Sequence, residues 1–225
     1  MEYLIDSANL DDIANYGSWF PYCGITCNPT IIRKEGRIDF FSHLEKIKTL
    51  IGEKKQLHVQ VVSATSDGMI KEAHRLAEKI GADVYVKIPV TEEGLQAIRI
   101  LKKENFNITA TAIYSAIQGF LAIGCGADYL APYYNRIESN NGDPEQVIGS
   151  FYKMIAKENS RTKILAASFK NSAQVVKAIL AGAHAVTLSS ELLKTLITSP
   201  VIDDAVQNFQ NDWKSIFGEK LITDL

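Results

Sequence analysis

The sequence predicts a single-domain α/β protein: a TIM (β/α)8 barrel carrying an extra C-terminal helix. Three observations carry that expectation. Eight short apolar runs recur along 225 residues, about 28 residues apart, close to the minimum for a strand–helix unit. Segments of helical period lie between them. A weak repeat, Gly-Ala-(Asp or His), stands just before three of the runs, at Gly81-Ala82-Asp83, Gly126-Ala127-Asp128 and Gly182-Ala183-His184. No linker, low-complexity stretch or shift in composition interrupts the series, so residues 1–225 read as one domain.

The predicted strands are Tyr3–Asp6, Gly24–Cys27, Leu57–Val62, Val84–Val90, Ile108–Ala112, Tyr129–Pro132, Ile164–Ala167 and Ala185–Leu188. Most are apolar on both parities, as parallel strands covered on both faces must be. Between them, Asp67–Ile80 places Met69, Ile70, Ala73, Leu76, Ala77 and Ile80 at helical steps. In the Gly-Ala repeat, each glycine follows a helical segment and suits the C′ position that turns the chain toward the next strand. A doubly wound open sheet is the alternative, but neither G-x-G-x-x-G nor G-x-x-x-x-G-K-[ST] occurs. After the eighth strand and a helix at Ser190–Thr198, Pro200 begins a further helix to about Phe217. Val201, Ala205, Phe209, Trp213 and Phe217 fall four apart on it. That stripe must bury on its own barrel or on a neighbouring subunit.

Composition narrows the function. With 24 Lys+Arg against 26 Asp+Glu, the net charge of −2 gives no support for nucleic acid or an acidic membrane as partner. No apolar run reaches the roughly 18 residues needed to span a bilayer. The acidic start, MEYLIDSANLDD, does not read as a signal peptide. Three cysteines, Cys23, Cys27 and Cys125, are too few for a disulfide framework and lack the partners of a zinc site. A globular enzyme of a reduced compartment, the cytoplasm, is expected.

In such a barrel, chemistry resides where strands end at their C-terminal side. The polar residues there are Asp6, Asn28, Gln60, Lys87, Thr111, Tyr133 with Asn135 and Arg136, and Ser168 with Lys170. Lys87 interrupts Val84-Tyr85-Val86-Lys87-Ile88-Pro89. Burial there favours the neutral amine, the nucleophile that Schiff-base chemistry on a carbonyl requires. A strand-end lysine that snorkels or pairs with Asp6 fits the same pattern. Arg136 and Ser168 suit anion recognition, or else an ion pair and a helix cap. Asp6 is a base or hydroxyl anchor, or the cap of a helix beginning near Asn9. Tyr133 is a proton donor or a packing residue. His43, His58, His74 and His184 form no constellation and read as surface or helix-face residues.

Several segments resemble the small-subunit transaldolases and fructose-6-phosphate aldolases. They are Asp6-Ser7-Ala8, Gly24-Ile25-Thr26-Cys27-Asn28-Pro29-Thr30, Val86-Lys87-Ile88-Pro89-Val90-Thr91 and Thr111-Ala112-Ile113-Tyr114-Ser115-Ala116-Ile117-Gln118-Gly119. Ala131-Pro132-Tyr133-Tyr134-Asn135-Arg136, Leu165-Ala166-Ala167-Ser168-Phe169-Lys170 and the closing segment with Asp212-Trp213 follow in the same order. The resemblance covers essentially the whole chain. It implies a metal-independent class I aldolase on a TIM barrel, with no cofactor. Lys87 would form the imine and Asp6 would contact the hydroxyl at the bond being broken. Gln60, Thr111 and Tyr133 would hold the catalytic water through which the enamine is protonated. Asn28, Thr26, Arg136, Ser168 and Lys170 would bind substrate, with the phosphate on Arg136 and Ser168. The partners implied are sugar phosphates, small ketones and aldehydes, and copies of the same chain in a pentamer or decamer.

Within that resemblance, Gln60 and Tyr133 point to the aldolase branch. Transaldolases of this size usually carry Glu where Gln60 stands, and Phe in a Ser-Pro-Phe-Val-Gly-Arg-like run where Tyr133 stands. An ionised Glu can act on the water as a base, whereas Gln can only orient it, leaving a phenol to handle the proton. The expectation is therefore cleavage of fructose 6-phosphate, with dihydroxyacetone transfer as the alternative reaction. A silent sugar-phosphate sensor on the same scaffold is the alternative outside enzymes, and it would not need Lys87.

Overall fold

Parallel strands need crossover connections of a dozen or more residues, and the chain places at least one helix after every strand. The computed structural model describes residues 1–225. It begins β1 (Glu2–Asp6), α1 (Leu10–Gly17), β2 (Gly24–Thr26), α2 (Pro29–Lys34), α3 (Phe40–Ile51), β3 (Gln56–Gln60) and α4 (Ser66–Ile80). It continues β4 (Tyr85–Pro89), α5 (Glu92–Lys103), β5 (Asn107–Ile113), α6 (Ala116–Gly124), β6 (Tyr129–Pro132), α7 (Tyr134–Ser139) and α8 (Pro144–Lys157). It ends β7 (Lys163–Ala166), α9 (Ser172–Leu180), β8 (Ala185–Ser189), α10 (Ser190–Leu196) and α11 (Pro200–Phe217). The strands close in sequence order into one all-parallel barrel, β8 pairing with β1.

All eight predicted strands are present, with ends shifted by one or two residues; Cys27 and Val62 lie just beyond theirs. The glycines of the repeat adopt positive φ, 124° at Gly81, 84° at Gly126 and 111° at Gly182, as the turn from helix into strand requires. The helix predicted to Thr198 ends at Leu196. Helix starts are capped from the side chain: Asn9 accepts from the Asp12 N–H, and Thr91 from that of Gly94. Asp6 therefore does not cap the first helix.

Two cores follow from strand parity. Outward residues such as Ile5, Ile25, Val86, Ile88 and Ile108 are fully buried beneath the helices. Inside the barrel, Leu4, Tyr129, Leu165 and Ala185 form a small apolar plug. Interior positions nearer the strand C-termini are polar. Register sets them side by side: Asp6 opposite Thr26 and Ser189, Gln60 opposite Lys87, and Lys87 opposite Thr109.

One histidine corrects the sequence reading. His58 shares parity with Gln60 and so points into the barrel, where it is fully buried and stacks on Tyr85 at 4.4 Å. It is neither a surface nor a helix-face residue. The C-terminal stripe also resolves in part. No residue of α11 is buried, and Val201, Phe209 and Ile216 are each more than 70% exposed. The helix does not dock on its own barrel.

Candidate active site

The polar mouth of the barrel encloses a cavity of about 790 Å³ at the strand C-termini. It is lined by Asp6, Asn28, Gln60, Lys87, Tyr133, Arg136, Ser168 and Lys170, so the structure gathers residues from six strand ends at one place. Lys87 forms part of the cavity floor and is only 4% exposed. Its Nζ has no hydrogen-bond or ion-pair partner in the protein, so it pairs with neither Asp6 nor solvent-side acids. Alternating geometry on β4 explains this: Val86 and Ile88 face the helices, which sends Lys87 inward.

Asp6 is half-buried and opens onto the cavity. Its Oδ1 accepts from Thr26 Oγ1 at 2.5 Å, and Thr26 also contacts Thr187 Oγ1 at 2.7 Å. Burial raises the Asp6 carboxyl above the usual carboxylate range, partly offset by the Lys87 charge and the Thr26 hydrogen bond. A raised carboxyl beside a lysine is suited to taking up and returning a proton. Thr26 is fully buried and does not line the cavity; it holds Asp6 instead of facing a ligand. Cys27, on the other side of the sheet, has its thiol pushed up to about 12 by burial, and is no competing nucleophile.

Across the floor, Thr111 Oγ1 donates to Tyr133 Oη at 3.1 Å. Since the tyrosine oxygen accepts, its own proton is free to point into the cavity. Thr111 is fully buried and reaches the site only through Tyr133. Gln60 contributes a buried carbonyl, Oε1, that has no hydrogen-bond partner in the protein. An acceptor in that state calls for water or ligand. The β5–β6 register breaks between Ala110 and Ile113, where Ala112 takes φ 54°. This irregularity takes Thr111 out of the β5–β6 ladder while it stays paired with Pro89 on β4.

The opposite wall is cationic. Lys34, Lys87, Arg136 and Lys170 face the cavity against only Asp6 and Glu191. Lys34 pairs with Glu191 at 3.0 Å, whereas Arg136 and Lys170 have no acidic partner. That wall is preorganised. Gln174, itself buried, accepts from the Lys170 N–H at 2.7 Å and donates to Asn135 and Glu138 on α7. Ser168 sits at φ 64°, and its carbonyl accepts from the Asn135 N–H. The strap carrying Ser168 and Lys170 is thus tied to the helix carrying Arg136, an arrangement fit for a phosphate. Asn28 caps α2 with Oδ1, accepting from Thr30 and Ile31, which leaves its amide nitrogen to donate into the cavity.

Sequence reasoning missed Lys34, Glu191 and Gln174. They lie on helices rather than at strand ends, and no spacing in the sequence marks them. No group of three or more His, Cys, Asp or Glu side chains is placed to hold a metal ion.

Comparison with known proteins agrees with this geometry. Residues 3–220 match the family model described as Transaldolase/Fructose-6-phosphate aldolase. A protein of Streptococcus pneumoniae (strain ATCC 700669 / Spain 23F-1), named probable fructose-6-phosphate aldolase, is 49% identical over 213 residues. That alignment covers 95% of this chain and 96% of the relative. With a closed eight-stranded barrel, a lysine on the cavity floor and a match along nearly its whole length, the chain belongs to the transaldolase/fructose-6-phosphate aldolase family.

Proposed function

We propose that this protein is a metal-independent Schiff-base aldolase that reversibly cleaves fructose 6-phosphate to dihydroxyacetone and glyceraldehyde 3-phosphate. The observation that carries this reading is the unpartnered amine of Lys87 on the floor of the cavity at the mouth of the closed barrel. The neutral Lys87 nitrogen adds to the C2 carbonyl, and loss of water with uptake of one proton, released again on the final hydrolysis, gives the iminium, an electron sink. The Asp6 carboxylate takes the proton of the C4 hydroxyl as the C3–C4 bond breaks. Electrons flow from that bond into the iminium, leaving an enamine and the aldehyde.

Arg136, Ser168 and Lys170 hold the phosphate of the departing aldehyde, and Asn28 donates to the donor fragment. The enamine carbon is then protonated through a water held by Gln60, Thr111 and Tyr133. Addition of water to the iminium frees dihydroxyacetone and returns Lys87. Asp6 gives its proton back to solvent, so no external oxidant, reductant or metal enters the balance.

The test is a product assay on fructose 6-phosphate with and without erythrose 4-phosphate. Free dihydroxyacetone should dominate in both. If sedoheptulose 7-phosphate is the main product and little dihydroxyacetone appears, the protein is a transaldolase.

The exposed stripe on α11 supports assembly into a ring, a pentamer or a pair of pentamers, in the cytoplasm. Phe209, Val206, Leu221 and Ile222 present an apolar surface that the protein's own barrel does not cover. Each large side chain buried there contributes about 1.5–3 kcal/mol. Truncation before Pro200 should yield a smaller species by sedimentation. A truncated chain that keeps the assembly state of the full chain rules out this role for α11.

A further inference from the structure

Between Thr109, the cross-strand neighbour of Lys87, and the N-terminal mouth of the barrel runs a chain of hydrogen bonds that the reaction above leaves unused. At the mouth, the Glu2 carboxylate pairs with Lys163 Nζ at 2.5 Å and accepts from Tyr129 Oη at 2.7 Å. Gln56 Nε2 and Oε1 lie 3.2 and 3.3 Å from Tyr129 Oη, and Gln56 Oε1 lies 3.0 Å from His58 Nε2. His58 Nδ1 is 2.8 Å from Thr109 Oγ1, and Thr109 is the cross-strand partner of Lys87. His58 and Thr109 are both fully buried.

The protons in this chain are ordered from its charged end. Burial works against the Glu2 carboxylate, but hydrogen bonds from Lys163 and Tyr129 outweigh it and hold the group below its usual range. Tyr129 therefore gives its one proton to Glu2, and its oxygen accepts from Gln56 Nε2. Gln56 then presents Oε1 to His58, which must carry its proton on Nε2. Nδ1 is left as an acceptor, and the Thr109 hydroxyl donates to it. Burial, reinforced by the Lys87 charge, holds the imidazole well below its ordinary range, so the ring is neutral. The titratable groups packed around the ring are Tyr85 and Lys87 on β4 and Tyr129 on β6, none of them an acid. Every dipole in the column thus has its positive end toward Glu2 and its negative end toward Lys87.

We propose that this column is an electrostatic support for positive charge at Lys87, with His58 and Thr109 as positioning residues that turn the Thr109 oxygen toward the lysine. It rests on the Schiff-base reading, because the charge it stabilises is that of the iminium. In a nearly dry site, aligned dipoles polarise one another and act without reorganising. Of the two acids that line the cavity, Glu191 is paired with Lys34, and Asp6 is neutral once it has taken the substrate proton. At that moment the column, whose His58 and Thr109 are fully buried, ends on the strand position beside Lys87.

The experiment uses the full chain. Long-range 1H–15N spectra should show His58 as the Nε2–H tautomer with no titration between pH 5.5 and 9. The Nδ1–H tautomer, or an imidazolium in that range, overturns the column. In parallel, the rate of adduct formation on Lys87 with dihydroxyacetone and borohydride is measured for Thr109→Val and Thr109→Ser. Thr109→Val, close in shape but lacking the hydroxyl, should lose about tenfold, less than the 10²–10³ of a directly contacting donor. Thr109→Ser restores the oxygen and should stay within about threefold of the unmodified chain, which a purely packing role would not produce. Equal rates for Thr109→Val and the unmodified chain overturn the inference alone. Absence of any Lys87 adduct in the unmodified chain overturns the aldolase reading itself.

Discussion

Replacing Lys87 by Met is expected to abolish covalent capture of ketone and to lower fructose 6-phosphate cleavage by at least about 10⁴, the scale of deleting a covalent nucleophile. Met fills nearly the same volume without a charge, so the barrel floor stays packed and the loss is chemical. The site tolerates an apolar replacement because the Lys87 amine makes no hydrogen bond that would leave a partner stranded. Asp6 feels the change: without the Lys87 charge, its carboxyl rises further from the usual range. The measurement is intact-protein and peptide mass after borohydride reduction with dihydroxyacetone or fructose 6-phosphate. The unmodified chain should gain one stable adduct on the peptide containing Lys87, and the Lys87→Met chain none. An adduct on another lysine, or residual cleavage near the original rate, sinks the mechanism.

Replacing Tyr133 by Phe is the second large effect. Thr111 donates to the Tyr133 oxygen, so the phenolic proton is the one the floor can deliver toward a water at the Gln60 carbonyl. Gln60 has no ionisable proton of its own. Removing the phenol should reduce cleavage by about 10²–10³, somewhat more modestly than losing Lys87, within the range for a general acid–base group. Imine formation should survive, because the nucleophile and the phosphate wall are untouched. A combined Gln60→Glu and Tyr133→Phe chain should shift products from free dihydroxyacetone toward transfer onto erythrose 4-phosphate. Steady-state rates, borohydride trapping and the ratio of the two products check all three points. A Tyr133→Phe chain that releases dihydroxyacetone at the original rate removes Tyr133 from the proton path.

The sequence by itself determined the barrel, because each βα unit writes its own signal. Runs apolar on both parities, helices of 3.6 period and glycines at helix ends are local features, and the closed sheet is their repetition. It also determined which residues meet at the cavity. Strand-end position is a local property, and in this architecture all strand ends share one face. Asp6, Asn28, Gln60, Lys87, Tyr133, Arg136, Ser168 and Lys170 were legible for that reason.

The tertiary structure alone decided what depends on distance across the barrel. Thr26 shares the parity of its neighbours at the mouth, yet it stands opposite Asp6 across β1 and β2, and only that pairing shows that it holds Asp6. Lys34 and Glu191 come from α2 and α10, 157 residues apart, and meet only because β8 closes on β1. His58 read as a surface or helix-face residue, since nothing local says whether an interior position finds partners. Its partners are Gln56 on its own strand and Thr109 on β5, and the proton order comes from Glu2 and Lys163 on β1 and β7. A hydrogen-bonded column of that kind is a property of the closed barrel, in which side chains from strands remote in sequence share one dry interior.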